Sequence, residues 1–293
     1  MTGRPANWRL WRDRASRFSW LLTVVLVGLC LPILLIAADA FLGQLGPRPY
    51  SAFIHQVGLW AFRFLLLSLL VTPLARIARW PALMTVRRRI GVAACLYAVV
   101  HLAGYAVDQS LDLVHIASEI ARRIYLTIGF VALLGLVALG VTSTDGMIRR
   151  LGGPRWRRLH ALAYPIAILA VVHFFLQAKA DVTEPTLMAG WLTWLLGYRA
   201  LNRVLPDGQA RAVPPLLGFS VLVALATAGA EAVGFWAVRH LPPDLVLEAN
   251  LSFDLDVGIR PAWYVLAGGL GLTLAAVVGD ARQRARQLVR ARA

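Results

Sequence analysis

Residues 156–179, WRRLHALAYPIAILAVVHFFLQAK, decide how this 293-residue chain is read. After its basic start the stretch is apolar for long enough to cross a bilayer, which takes roughly 20 residues. It carries His160 at the basic end and His173 about 20 Å further on, at about 1.5 Å per residue. An imidazole at membrane depth is costly and marks a pathway, a cofactor or a proton relay. Neutral imidazole is also a common ligand for iron, and it equally serves as a hydrogen-bonding partner for a neighbouring helix. The offset between the two histidines rotates an ideal helix by about 220°, so they share no face unless Pro165 resets the register.

The rest of the chain has the same character. Hydrophobic residues make up 59% of it, charged residues only 15%, and the mean hydropathy is +0.66, far from the composition of a soluble domain. This is the sequence of an integral membrane protein. Its net charge of +15 does not indicate nucleic acid, because the basic residues fall in short clusters between apolar runs of about 20 residues. Cys30 and Cys95 lie inside apolar runs, so there is neither a disulfide framework nor a CxxC motif.

Moving towards the N-terminus, a basic loop with Gly152-Gly153-Pro154 separates the opening stretch from an apolar run at about 125–143. Residues 108–123 alternate polar and apolar at helical spacing, as an interfacial helix does. A run at about 88–107 carries His101 and Tyr105, and one at about 53–75 carries His55 and Arg63. The first run, about 18–38, follows Arg4, Arg9, Arg12, Arg14 and Arg17. Its end, Ala38-Asp39-Ala40, resembles a signal-peptidase site, but the run is too long for a signal-peptide core and reads as an uncleaved helix. Downstream lie a run at about 186–204, a linker with Pro206, Asp207, Gly208, Pro214 and Pro215, and runs at about 215–238 and 262–279. An acidic loop with Asp244, Glu248, Asp254 and Asp256 separates the last two. The expectation is an all-α membrane protein with eight transmembrane helices, six plus two. The divisions are 1–52 for the tail, first helix and loop, 53–205 for the transmembrane core, and 206–293 for a two-helix C-terminal extension.

The balance of Lys and Arg orients the chain. With both termini cytoplasmic, 23 basic residues fall on the cytoplasmic side, six on the other, and Arg63 within a helix. His101 and His173 then lie about six and five residues from the periplasmic ends of their helices, roughly 8–10 Å deep. Two imidazoles at one depth on two helices can clamp one haem. His160 sits at the cytoplasmic end, where the third helix presents Arg87 and Arg88, which cannot ligate iron. A buried guanidinium such as Arg63 needs an anion, and a haem propionate or an internal carboxylate serves. Glu231 poses the same question without an obvious partner. His115 and His240 read as ordinary interfacial side chains, and His55 as a polar helix end.

At these residues the chain resembles the MsrQ (YedZ) family, haem-binding membrane subunits of the periplasmic methionine sulfoxide reductase system within the ferric-reductase-like transmembrane group. The resemblance runs from about His55 to Arg203. It rests on VTPLAR (71–76), RRIG (88–91), HLAGY (101–105), YLTIG (125–129), TST (142–144) and WRRLH (156–160) with His173. It implies a six-helix ferric-reductase-like bundle and b-type haem held by His101 and His173. It further implies a role for His160, flavin mononucleotide as second cofactor, and a molybdopterin-containing partner in the periplasm. Arg123-Ile124-Tyr125 departs from the family's Arg-Pro-Tyr, and the final 90 residues lie outside the resemblance.

The reading is a multi-pass protein of a bacterial inner membrane. It passes electrons from quinol or a cytoplasmic flavin reductase to a periplasmic methionine sulfoxide reductase. The clustered guanidiniums of Arg87, Arg88 and Arg158 beside His160 suit a phosphate, so flavin mononucleotide fits that end better than a second haem. The same arginines also suit orientation and anionic lipid headgroups. No GxGxxG fingerprint in a strand-to-helix context is present. The rivals are a cytochrome b561-like quinol or ferric reductase, and a proton-coupled transporter using His101, His173 and Glu231 as a relay.

Overall fold

The computed structural model of the chain describes residues 18–206, 208–252 and 258–292. The N-terminal arginines, Asp207, Asp254 and Asp256 lie outside the described residues. The first helix, α1 (Trp20–Phe41), starts where the Ser19 hydroxyl accepts the Leu22 N–H at 3.5 Å. Helix α2 (Pro49–Ile77) begins on a proline, whose missing N–H costs nothing in a first turn. Helices α3 (Arg87–Asp108), α4 (Leu113–Arg122) and α5 (Ile124–Val141) follow, α4 capped by the Asp112 carboxylate accepting from the His115 N–H at 2.9 Å.

The segment between the fourth and fifth apolar runs, expected as a loop, forms a short helix, α6 (Asp145–Leu151). Thr144 caps it by accepting the Met147 N–H at 3.2 Å, and Gly152 ends it with φ of 75°. The single helix expected over 156–179 is two helices, α7 (Gly153–His160) and α8 (Ala163–Gln177). The cause is Pro165: it has no N–H for the Ala161 carbonyl and its ring crowds that carbonyl, so the chain turns at Ala161 and Leu162. Next come α9 (Thr183–Val204) and α10 (Val213–Arg239). The expected acidic loop contains α11 (Pro243–Ser252), and α12 (Pro261–Arg292) runs well past the apolar stretch that begins it.

Among the described residues seven helical segments are long and apolar enough to cross a membrane: α1, α2, α3 with the turn before it, α5, α7 with α8, α10 and α12. The remaining expected span, α9, has 22 residues but carries Glu184, Arg199, Asn202 and Arg203. It lies at the centre of the bundle all the same. Trp194 is 0% exposed, Leu195 and Tyr198 are buried beside it, and α9 packs on α2, α8, α10 and α12. Val24, Leu34, Leu134, Val233 and Leu274 stand exposed on the outer faces, as suits helices solvated by hydrocarbon with every backbone bond closed internally.

Three pairings organise the bundle: α2 with α3, α5 with α8, and α10 with α12. The first helix is tied in by a side chain. The Tyr97 hydroxyl on α3 donates to the Leu29 carbonyl at 2.8 Å and accepts from the Ile33 N–H at 3.0 Å, entering the α1 ladder where one i→i−4 bond would close. The C-terminal helices are fastened to the rest at both ends. Val182, Ala232, Phe235 and Val246 form a small apolar cluster with Phe175 at one end, and Arg79 pairs with Asp280 at 2.5 Å at the other.

Candidate cofactor site

The α2–α3 and α5–α8 pairs each deliver one histidine to the same place by the same device. On α3, His101 lies over Gly58 of α2 and its Nδ1 is 2.8 Å from the Ile54 carbonyl. On α8, His173 lies over Gly129 of α5 and its Nδ1 is 2.7 Å from the Tyr125 carbonyl. In both cases the carbonyl belongs to the residue four positions before the glycine, one turn along the same helix face. A Cβ on Gly58 would stand 2.7 Å from the His101 Nδ1, and one on Gly129 2.6 Å from the His173 Nδ1. Only glycine admits the rings. A carbonyl can only accept, so each Nδ1 carries a proton, and in the neutral ring Nε2 keeps the lone pair.

The two rings have centroids 6.5 Å apart and planes at 85°. That separation fits a shared metal. A metal–imidazole bond is about 2.0–2.1 Å and a ring centroid lies about 1.1 Å behind its nitrogen, which places collinear axial rings about 6.3 Å apart. The helices therefore hold two half-buried neutral imidazoles at bis-axial spacing, each fixed from behind by a backbone acceptor, which sets tautomer and orientation in metal-ligating histidines. Neither the glycines nor the carbonyls were among the expected site residues. The YLTIG motif contains Tyr125 and Gly129, and that is the one signal that could have found half of the device.

The other expected site residues are placed as follows. Arg63 lies five residues beyond Gly58, about 140° round the helix from the His101 face. Its guanidinium pairs with Glu184 of α9 at 3.4 Å and lies 5.0 Å over the Trp60 ring. His160 is at the opposite end of α5 from Tyr125, roughly 25 Å away along that helix. Its Nε2 is 3.2 Å from the Thr142 hydroxyl, and its ring stacks on Trp156 at 3.9 Å and 26°. Trp156 in turn donates its indole N–H to the Thr142 carbonyl at 2.9 Å. The TST and WRRLH motifs are thus one contact. Arg87 is the charged neighbour of His160, Arg88 pairs with Asp145, and Arg158 is exposed.

Glu231, expected without a partner, has two. The carboxylate is 0% exposed, accepts from Arg260 Nη2 at 2.7 Å and from the Asn250 amide at 2.9 Å, and the Trp263 indole donates to the Asn250 carbonyl at 2.8 Å. This network ties α11 and the start of α12 to α10.

Comparison with known proteins gives a consistent result. The family described as "Ferric reductase like transmembrane component" matches residues 57–171, a span that holds both Gly58 and His101. The "Protein-methionine-sulfoxide reductase heme-binding subunit MsrQ" of Rhodospirillum rubrum is 42% identical over 202 residues, covering 69% of this chain and 95% of the relative. The protein of the same name from Xanthomonas oryzae pv. oryzae is 46% identical over 164 residues, covering 55% of this chain and 73% of the relative. No solved structure matches the chain.

Proposed function

The chain belongs to the MsrQ family, and on that premise we propose that it is a b-type cytochrome carrying electrons across a bacterial inner membrane to a periplasmic methionine sulfoxide reductase. The observation that carries this reading is the His101–His173 pair, with both Nδ1 atoms on backbone carbonyls and the rings at bis-axial spacing. Bound there, haem supplies a one-electron carrier. His101 and His173 would hold it, the Ile54 and Tyr125 carbonyls would keep both rings in the tautomer that presents Nε2, and Gly58 and Gly129 let the rings lie close to their helices. The donor is quinol or a cytoplasmic flavin reductase, and the acceptor is a molybdopterin-containing subunit.

Flavin mononucleotide belongs at the His160 end. Arg88 is committed to Asp145, which leaves Arg87 and Arg158 as the phosphate-binding guanidiniums and the stacked Trp156–His160 pair beside them. The transporter alternative is disfavoured by Glu231, whose carboxylate is committed to Arg260 and Asn250 and not to a path shared with the imidazoles.

Proteoliposomes of the full chain, supplied with a reduced quinol and the periplasmic reductase, test the reading. Sulfoxide reduction should depend on the chain and vanish with His101→Ala. Turnover at the unaltered rate in that variant would refute it.

A further inference from the structure

Where α2 ends and the chain turns back after Leu205, a cavity of about 330 Å³ is lined by Arg76, Tyr198, Asn202, Gly208 and Arg211. It lies at the end of the bundle opposite the His101–His173 pair, since Ile54 is near the start of α2 and Arg76 near its end. Its polar lining consists of two guanidiniums, a phenol and a carboxamide, all able to donate hydrogen bonds. Among the described residues no carboxylate pairs with Arg76 or Arg211. The ion pairs nearby in sequence are Arg79–Asp280 and Arg88–Asp145.

Two further features make the cavity a built site. Tyr198 is only 2% exposed and lines the cavity. The charged groups nearest it are Arg76, Arg211 and Arg199. Arg199 adds positive field without competing for the ligand, because its Nη1 donates to the Leu195 carbonyl at 2.6 Å, its Nη2 to the Leu69 carbonyl at 2.5 Å, and its face covers Tyr164. Gly208 has φ of 84°, which favours glycine, and the Arg211 guanidinium lies 3.4 Å from where its Cβ would be. Arg76 is exposed and Arg211 half-buried; like charges gathered there repel one another, and an anion reverses the sign of that term.

We propose that this cavity recognises a phosphate group, with Arg76 and Arg211 as the charged clamp and the Tyr198 hydroxyl and Asn202 amide as neutral donors. Paired guanidiniums suit phosphate oxygens in geometry as well as charge. The phosphate comes from an anionic lipid headgroup or from a soluble phosphate compound, and the same protein distinguishes the two.

The test uses the full-length protein purified in detergent, as wild type, Arg76→Gln/Arg211→Gln, Tyr198→Phe, and Arg203→Gln as a control for positive charge outside the cavity. One arm reads retention of phosphatidylglycerol against phosphatidylcholine by native mass spectrometry. The other reads thermal stabilisation of lipid-stripped protein by inorganic phosphate against chloride at equal ionic strength. Wild type should retain phosphatidylglycerol, and the double variant should bind it about a hundredfold more weakly, with Tyr198→Phe weakened about tenfold. Stabilisation by inorganic phosphate as well shows that the phosphate group alone suffices, and its absence assigns the site to a lipid headgroup. Three results would overturn the proposal: wild type binding neither probe, the double variant binding as wild type does, or Arg203→Gln losing as much as the double variant.

Discussion

His101 and His173 owe their placement to what stands behind them. Each ring fills the notch left by a glycine and bonds a carbonyl one turn away, so the glycines matter as much as the imidazoles. Gly58→Ala and Gly129→Ala each bring a methyl group within 2.7 Å or less of a ring nitrogen, which forces the ring off its carbonyl. Each variant should lose most of its haem, measured as Soret absorbance per protein, while far-UV circular dichroism stays that of a helical bundle. Unchanged haem content in both would remove the glycines from the account. Glu231 permits a prediction on stability alone. Glu231→Gln leaves Arg260, 15% exposed at the side chain, without its counter-charge, and removing one partner of a buried pair costs about 3 kcal/mol or more. Thermal unfolding of the purified variant should show that loss with haem content unchanged. That His101 and His173 fall at one level was legible because rise per residue is constant along a helix. The identity of Glu231's partners was not, because Asn250 and Arg260 lie across a turn whose fold no local pattern encodes.

Among the elements, long apolar runs were legible and short polar helices were not. Hydropathy marks α2, α3, α5 and α10 because each must bury or face hydrocarbon along its whole length. Helices α6 and α11 are held by ends, Thr144 and Gly152 for the one and Pro243 for the other, and their charged residues read as loop. The break between α7 and α8 was foreshadowed by Pro165, and its effect is to set His160 on Thr142 and Trp156, independent of the face His173 uses. Helix α12 continues to Arg292 because Ala, Arg, Gln and Leu are strong helix formers even where no core receives them. Helix α1 packs on α2 and α3 through Leu22, Leu29 and Ile36, and one hydroxyl adds a polar tie. Tyr97→Phe removes the bridge between Leu29 and Ile33, but the α1 ladder can then close its own bond, so the loss should be only about 1 kcal/mol. A lowered unfolding temperature with an unaltered haem spectrum is the expected outcome, and a loss of haem would mean that α1 reaches further into the site.

For the molecule as a whole, the expected six-plus-two division understates how the C-terminal helices are built in. Helices α10 and α12 pack on α9, α12 also packs on α2, and Arg79 and Asp280 join residues 201 positions apart. On the proposed orientation, with both termini cytoplasmic, a reporter fused after residue 250 should behave as periplasmic; cytoplasmic behaviour would invert the bundle and move the histidine pair to the other face. The central claim is that His101 and His173 together hold one haem. Its most direct test is the visible and electron paramagnetic resonance spectrum of the purified full-length protein beside His101→Ala and His173→Ala. The account predicts one low-spin bis-imidazole signal in the wild type, lost in either variant. Full retention of that signal in either variant would contradict it.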